Sequence, residues 1–145
     1  MGKEELKDGL VTGLFFRSMD IPVNRESKMS SFRAFKKASE KLQEGVSLIV
    51  FPEGKIGDEY PPVLHQFKNG PFKLAIEFGI PIIPVSSANA WTMLWDDGIK
   101  FGTRPGICKY FVHKPIQTIG FSPEDADKLK EQAYGILSRQ LKKGI

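Results

Sequence analysis

The sequence predicts an α/β fold, a mixed and largely parallel sheet flanked by helices, built as one domain over residues 1–145. Three observations carry that expectation. Apolar runs of strand length alternate along the chain with stretches of helical periodicity. The run Val46-Ser47-Leu48-Ile49-Val50-Phe51 is nearly continuously apolar, as a strand buried on both faces of a parallel sheet requires. The clearer helices are bracketed by residues that start and stop helices: Ser30 or Ser31 and Gly45, Pro71 and Gly79, and Ser122-Pro123.

In chain order, residues 4–19 carry Leu6, Leu10, Leu14 and Phe15 at helical spacing, a pattern weakened by Gly9 and Gly13. Ile21-Pro22-Val23 then reads as a short extended segment. The next helix is capped by Ser30 or Ser31, turns Phe32, Phe35, Ala38 and Leu42 inward with lysines outside, and stops at Gly45. The apolar run 46–51 follows as a strand that Pro52 ends. After a loop rich in glycine, proline and charge, Pro71 opens a short helix through Phe78, and Gly79 closes it before the strand Ile82-Ile83-Pro84-Val85. Residues 107–112 give another strand. Ser122-Pro123-Glu124-Asp125 then caps a last helix with Leu129, Ala133, Ile136, Leu137 and Leu141 on one face. In such a fold ligands bind beyond the C-terminal ends of the strands, which is where the loop after Phe51 falls.

Composition narrows the function classes. The chain has 145 residues, 41% hydrophobic and 26% charged, enough for a core and unlike a disordered chain or a repeat array. Its 21 Lys and Arg exceed its 17 Asp and Glu, and the formal net charge of +4 suits anionic partners such as phosphorylated metabolites or lipid headgroups but is too small to indicate nucleic acid. The lone Cys108 cannot form an internal disulfide or a thiolate zinc cluster, so no metal is expected and a reducing compartment is. No apolar run approaches the ~20 residues of a membrane span, and Met1-Gly2-Lys3-Glu4-Glu5 is unlike a signal peptide, so the chain itself is expected to be soluble. Met1-Gly2 reads equally as a native start or as the edge of a longer chain.

Several residues are suited to chemistry, each with a plain structural alternative. Phe51-Pro52-Glu53-Gly54-Lys55 sets a carboxylate, a flexible glycine and a cation at a strand's end; the alternative is an ordinary turn with solvated charges. In Gln66-Phe67-Lys68-Asn69-Gly70-Pro71-Phe72, Lys68 precedes a helix N-terminus, where backbone N–H groups and the helix dipole favour phosphate; the alternative is a surface lysine. Arg25 either supplies a planar fork for phosphate or pairs with Glu26 in solvent. Arg104-Pro105-Gly106 reads as a turn. The cluster Trp91-Thr92-Met93-Leu94-Trp95 fits a core, with contact to a membrane interface or an acyl chain as the alternative. His65 and His113 read as structural, since no acidic residue follows either at a spacing that suggests a catalytic pair.

Taken together, Ile21-Pro22-Val23-Asn24-Arg25, Phe51-Pro52-Glu53-Gly54, Phe67-Lys68-Asn69-Gly70-Pro71-Phe72-Lys73-Leu74-Ala75 and Ile80-Pro81-Ile82-Ile83-Pro84-Val85 resemble the glycerolipid acyltransferases of lysophosphatidic acid acyltransferase (PlsC-like) type. Arg104-Pro105-Gly106 and Lys114-Pro115-Ile116 extend the likeness to nearly the whole chain. The resemblance implies transfer of an acyl group from acyl-CoA or acyl carrier protein to the hydroxyl of a lysophospholipid, in phosphatidic acid synthesis at the cytoplasmic face of a membrane, with no cofactor beyond the acyl donor. It casts Arg25 as a phosphate-binding arginine, Glu53 and Gly54 as acceptor-binding residues and Lys68 as a lysine near the phosphate pocket. Pro81 and Pro84 match a motif linked to structural support or acyl-donor binding.

Two departures qualify the likeness. The family's catalytic histidine, followed after four intervening residues by an aspartate, lies upstream of the Arg25 segment. No such pair occurs here, since Gly70 and Thr118 stand where His65 and His113 would need an acid. The resemblance therefore implies the C-terminal part of a longer, N-terminally truncated domain, inactive by itself, because a hydroxyl needs a base that typically contributes ~10²–10⁴ in rate. Lys55-Ile56-Gly57 also replaces the usual threonine, arginine and serine, which removes a possible phosphate contact. The competing expectation is a non-catalytic phosphate- or lipid-headgroup-binding module, and a third is association through an exposed strand edge.

Overall fold

The computed structural model describes residues 2–3, 21–23, 28–55, 57, 59, 61–93 and 102–143. The chain divides into two compact units, Met1–Gly54 and Lys55–Ile145. The helix expected over 4–19, Arg25, Leu94 and Trp95 lie outside the described residues.

In the first unit, β1 (Gly2–Lys3) pairs in parallel with β2 (Pro22–Val23), so the extended reading of Ile21-Pro22-Val23 holds. Helix α1 (Lys28–Gln43) begins slightly before the expected serine cap. Its buried stripe is Ala34 and Ala38, with Phe35 and Leu42 half-buried beside them, whereas Phe32 is 66% exposed. Phe32 stands two positions from Ala34, and residues two apart on a helix point to nearly opposite sides. The alanines, not the larger Phe32, therefore set the inward face. The Gly45 amide donates to Leu42 O and the Val46 amide to Lys41 O, which closes the last turn and needs the left-handed φ of +80° that Gly45 adopts.

The run 46–51 departs most from expectation. No strand is formed there, and Ile49 is 78% exposed. An apolar run encodes burial, but a strand also needs a ladder to distant neighbours, which the run itself does not specify, and residues 46–51 take no strand form.

The second unit is built around α2 (Gly70–Glu77) and α3 (Ala126–Lys142). Phe67, Phe72, Ile76, Ile116, Ala126, Leu129 and Ala133 form one buried cluster, with Leu64, Ile82, Phe121 and Tyr134 packed on it. Pro71 opens α2, as expected, and the Gly79 and Ile80 amides close it by donating to Ile76 O and Ala75 O.

Strand β3 (Val85–Ser87) pairs antiparallel with β4 (Tyr110–Val112), with Val85 opposite Val112 and Ser87 opposite Tyr110. The strands expected at 82–85 and 107–112 are thus displaced and shorter. A further antiparallel bridge joins Ile82 to Ile116. Between bridge and ladder, Ile83 and Pro84 stand opposite His113, Lys114 and Pro115, an extra residue absorbed where Pro115 has no N–H to offer. With β1 and β2 parallel and β3 and β4 antiparallel, the described strands pair in both senses, as a mixed sheet allows.

Helix α3 is entered through the 3-10 turn Pro123–Asp125, where the Ser122 amide and hydroxyl both donate to Asp125 Oδ2 at 2.9 and 3.0 Å. Those bonds, the backbone one first, hold the Asp125 carboxyl below the ordinary Asp value of 3.8. A depressed carboxylate contributes stability above its unfolded value and loses it as pH falls through its lower folded value. Thermal melts from about pH 5 to pH 2 should therefore show the parent losing more stability than Asp125→Asn. Parallel curves for the two proteins would mean the cap contributes nothing.

Candidate functional site

Residues 51–54 make a tight turn in which the Gly54 amide donates to Phe51 O at 3.3 Å. Gly54 takes a φ of +71°, which side-chain-bearing residues rarely adopt, so the glycine after Glu53 has a local reason. Glu53 is half-buried in this turn while Lys55 is exposed. The turn ends the first unit, and Lys68, Pro81 and Pro84 belong to the second.

Lys68 is exposed, but the chain around it is rooted. Phe67, just before it, is buried, stacked on Phe72 with centroids 6.2 Å apart and edge-on to Tyr134 at 5.2 Å. Asn69, just after it, is the N-cap of α2, yet its side chain does not cap the helix. Asn69 Nδ2 instead donates to Asp127 Oδ1 at 3.1 Å, and Lys130 Nζ donates to the same oxygen at 2.6 Å. Lys130, and then Asn69, hold the Asp127 carboxyl below its ordinary range. The first turn of α2 has no acidic residue, so Asp127 supplies from α3 the negative charge that a helix start favours.

That arrangement changes what the helix start offers a phosphate. Pro71 has no N–H, and the Phe72 and Lys73 amides are both donated to Asn69 O. With Asp127 alongside, the backbone at this N-terminus has little left for an anion, and the Lys68 ammonium is the group positioned to meet one. Of the two prolines, Pro81 is exposed and Pro84 is buried, with its carbonyl accepting the His113 amide at 3.0 Å. Pro84 thus joins the facing chain just before β3 begins.

The two histidines both have side-chain partners. His113 Nε2 is 3.1 Å from Ser86 Oγ across the β3–β4 pair. His65 Nε2 is 3.2 Å from Glu59 Oε2. A search for acids downstream of each histidine misses the second pair, because Glu59 precedes His65 in the chain and is brought back by the loop. Cys108 Sγ is 3.3 Å from Ser87 Oγ, and hydrogen bonding to Cys108 raises the Tyr110 phenol above its ordinary range. Arg104 donates from Nε to Thr92 O at 2.6 Å and from its amide to Met93 O, a structural role, but 104–106 form no turn and are instead tied to the chain eleven and twelve positions earlier. The Trp91 indole N–H donates to Ala88 O from a half-buried position. Among the described residues, no three His, Cys, Asp or Glu side chains gather as metal ligands, and no helix is long and apolar enough to cross a membrane.

The model of the family described as Acyltransferase matches residues 1–88, the stretch that holds Arg25, Glu53, Gly54, Lys68, Pro81 and Pro84. An uncharacterized acyltransferase of Schizosaccharomyces pombe is 26% identical over 97% of this chain and 50% of its own length. The 1-acyl-sn-glycerol-3-phosphate acyltransferase alpha of Mus musculus is 32% identical over 62% of this chain and 30% of its own. Among solved structures, the 1-acyl-sn-glycerophosphate (LPA) acyltransferase PlsC of Thermotoga maritima is similar with a TM-score of 0.77, at 26% identity, over 98% of this chain and 54% of that one. This chain spans half or less of the length of these two curated relatives.

Proposed function

The chain belongs to the acyltransferase family, with the lysophosphatidic acid acyltransferase (PlsC-like) members, and from that premise we propose that the full-length protein acylates the hydroxyl of a lysophospholipid such as 1-acylglycerol-3-phosphate. The acyl donor is acyl-CoA or acyl carrier protein. In the reaction the acceptor oxygen bonds to the thioester carbonyl carbon, the carbon–sulfur bond breaks, and the hydroxyl proton passes to a base and on to the leaving thiolate.

The residues of this chain bind and orient the acceptor. Arg25 and Lys68 hold the anionic headgroup, Arg25 through its planar fork and Lys68 as a point charge on a rooted segment. Glu53, half-buried beside the glycine of its turn, organises the acceptor. The proton-accepting histidine is proposed to lie upstream, in the part of the relatives' length that this chain does not span. These 145 residues by themselves would bind without transferring. Work at the cytoplasmic face of a membrane, on a membrane-borne acceptor, completes the proposal.

The observation that supports it most is that the family match over 1–88 contains every residue assigned to acceptor binding, in the expected order. The test is acyl transfer by the full-length protein to 1-acylglycerol-3-phosphate. Formation of phosphatidic acid supports the reading, and no transfer to any lysophospholipid counts against it.

A further inference from the structure

Helix α1 presents an outward face that neither the packing of its unit nor acceptor binding as described uses. The helix carries five Lys and Arg against one Glu, a net charge of +4 within 16 residues. The formal net charge of the whole chain is also +4, so this one helix accounts for the basic excess and the other residues balance.

At about 100° per residue, Met29, Phe32, Arg33 and Lys36 point away from Ala34 and Ala38, which pack inward. Met29 is 61% and Phe32 66% exposed, and they lie one turn apart. Arg33 follows Met29 by four positions and Lys36 follows Phe32 by four, so each apolar side chain has a cation on the next turn. Arg33, Lys36 and Lys37 are exposed and have no ion-pair partner among the described residues, whereas Lys41 is held by Glu44 at 2.5 Å. Glu40, the one acid of the helix, lies beyond Lys36 toward the other end.

An aromatic ring and a thioether interleaved with unpaired cations suit the boundary of an anionic bilayer. There the phosphates meet the cations, and the apolar side chains pass below them toward the acyl layer. An acidic protein would satisfy the charges alone. An acyl layer also takes Met29 and Phe32 without a shaped pocket, and the acceptor proposed above is itself borne on a membrane. Resting on that reading, we infer that Met29 and Phe32, with Arg33, Lys36 and Lys37, form a docking face for the surface of an anionic membrane. The helix lies on the bilayer and does not enter it, because its Ala34 and Ala38 side stays against the protein.

The test places an environment-sensitive fluorophore on Met29→Cys, the single cysteine left in the full-length protein, and adds vesicles of phosphatidylcholine with or without phosphatidylglycerol. The emission should shift to the blue on the anionic vesicles and be quenched by lipids brominated on their acyl chains, with little change on the neutral ones. Arg33→Gln together with Lys36→Gln should raise the lipid concentration for half the response about 25-fold, at about a factor of five per charge. No response to anionic vesicles overturns the docking face, and an equal response to both vesicles overturns its anionic character. A label already shielded before vesicles are added shows that protein covers the face and overturns it too, as does a response to acyl carrier protein but not to vesicles. Phosphatidic acid formed without a response rejects the docking face alone. A response without acyl transfer upholds the face and sinks the acyltransferase reading instead.

Discussion

Arg25→Ala in the full-length protein is expected to lower kcat/KM for 1-acylglycerol-3-phosphate by about 10²-fold while leaving a phosphate-free monoacylglycerol acceptor within about twofold of the parent. Charge-assisted bonds to a phosphate are worth about 1.5–3 kcal/mol, and every 1.4 kcal/mol is about a factor of ten. Arg25 follows the extended segment Ile21-Pro22-Val23 in the sequence. Arg25→Lys should recover only part of the loss, because an ammonium supplies the charge without the two parallel N–H groups. Steady-state kinetics with the two acceptors gives the answer. Equal losses on both would show that Arg25 supports the fold or the donor and does not recognise the headgroup.

Leu129→Ala is expected to destabilise the protein by about 3 kcal/mol, within the range measured for buried leucines. Leu129 is 0% exposed and sits among Phe67, Phe72, Ile76 and Ile116, so truncation leaves a hole walled by α2, α3 and the bridge strand at Ile116. Those walls are large side chains on separate elements and cannot all relax into the space. Ile119→Ala, at a position 82% exposed, should change stability by less than about 0.5 kcal/mol. Denaturant titration of both variants measures the difference, and Leu129→Val gives a milder truncation if Leu129→Ala does not fold. A loss below about 1 kcal/mol at Leu129 would contradict its place at the centre of the core.

The parts of this fold that local chemistry dictates were legible in the sequence. Gly45 and Gly79 ended their helices by the expected hydrogen bonds, Pro71 opened α2, and Ser122 with Asp125 capped the entry to α3. Each depends on residues a few positions apart, so the pattern carries the answer. What depends on distant partners was not legible. The pairing of β3 with β4 joins residues far apart in the chain, and the exposure of Phe32 follows from which side of α1 meets the rest of its unit. Residues 46–51 read as a buried strand because their side chains are suited to one, but pairing is a property of neighbours that the run does not name.

The candidate site divides in the same way. Glu53, Gly54 and Lys68 were found from motif and position, and the structure adds a reason for Gly54 in its positive φ and for the placement of Lys68 in the burial of Phe67. The role of Asp127 at the start of α2 needed the packing of two helices fifty-eight positions apart at that contact. Glu59 and His65 are close in the chain but separated by Pro61 and Pro62, and no periodic pattern brings them together.

The most direct test of the central claim is to follow a labelled acyl group from acyl-CoA, and separately from acyl carrier protein, in the presence of the full-length protein and 1-acylglycerol-3-phosphate. The account predicts labelled phosphatidic acid from at least one donor, with the thiol released in equal amount. Binding of the acceptor with no label transferred from either donor would contradict it and leave a headgroup-binding protein that does not catalyse.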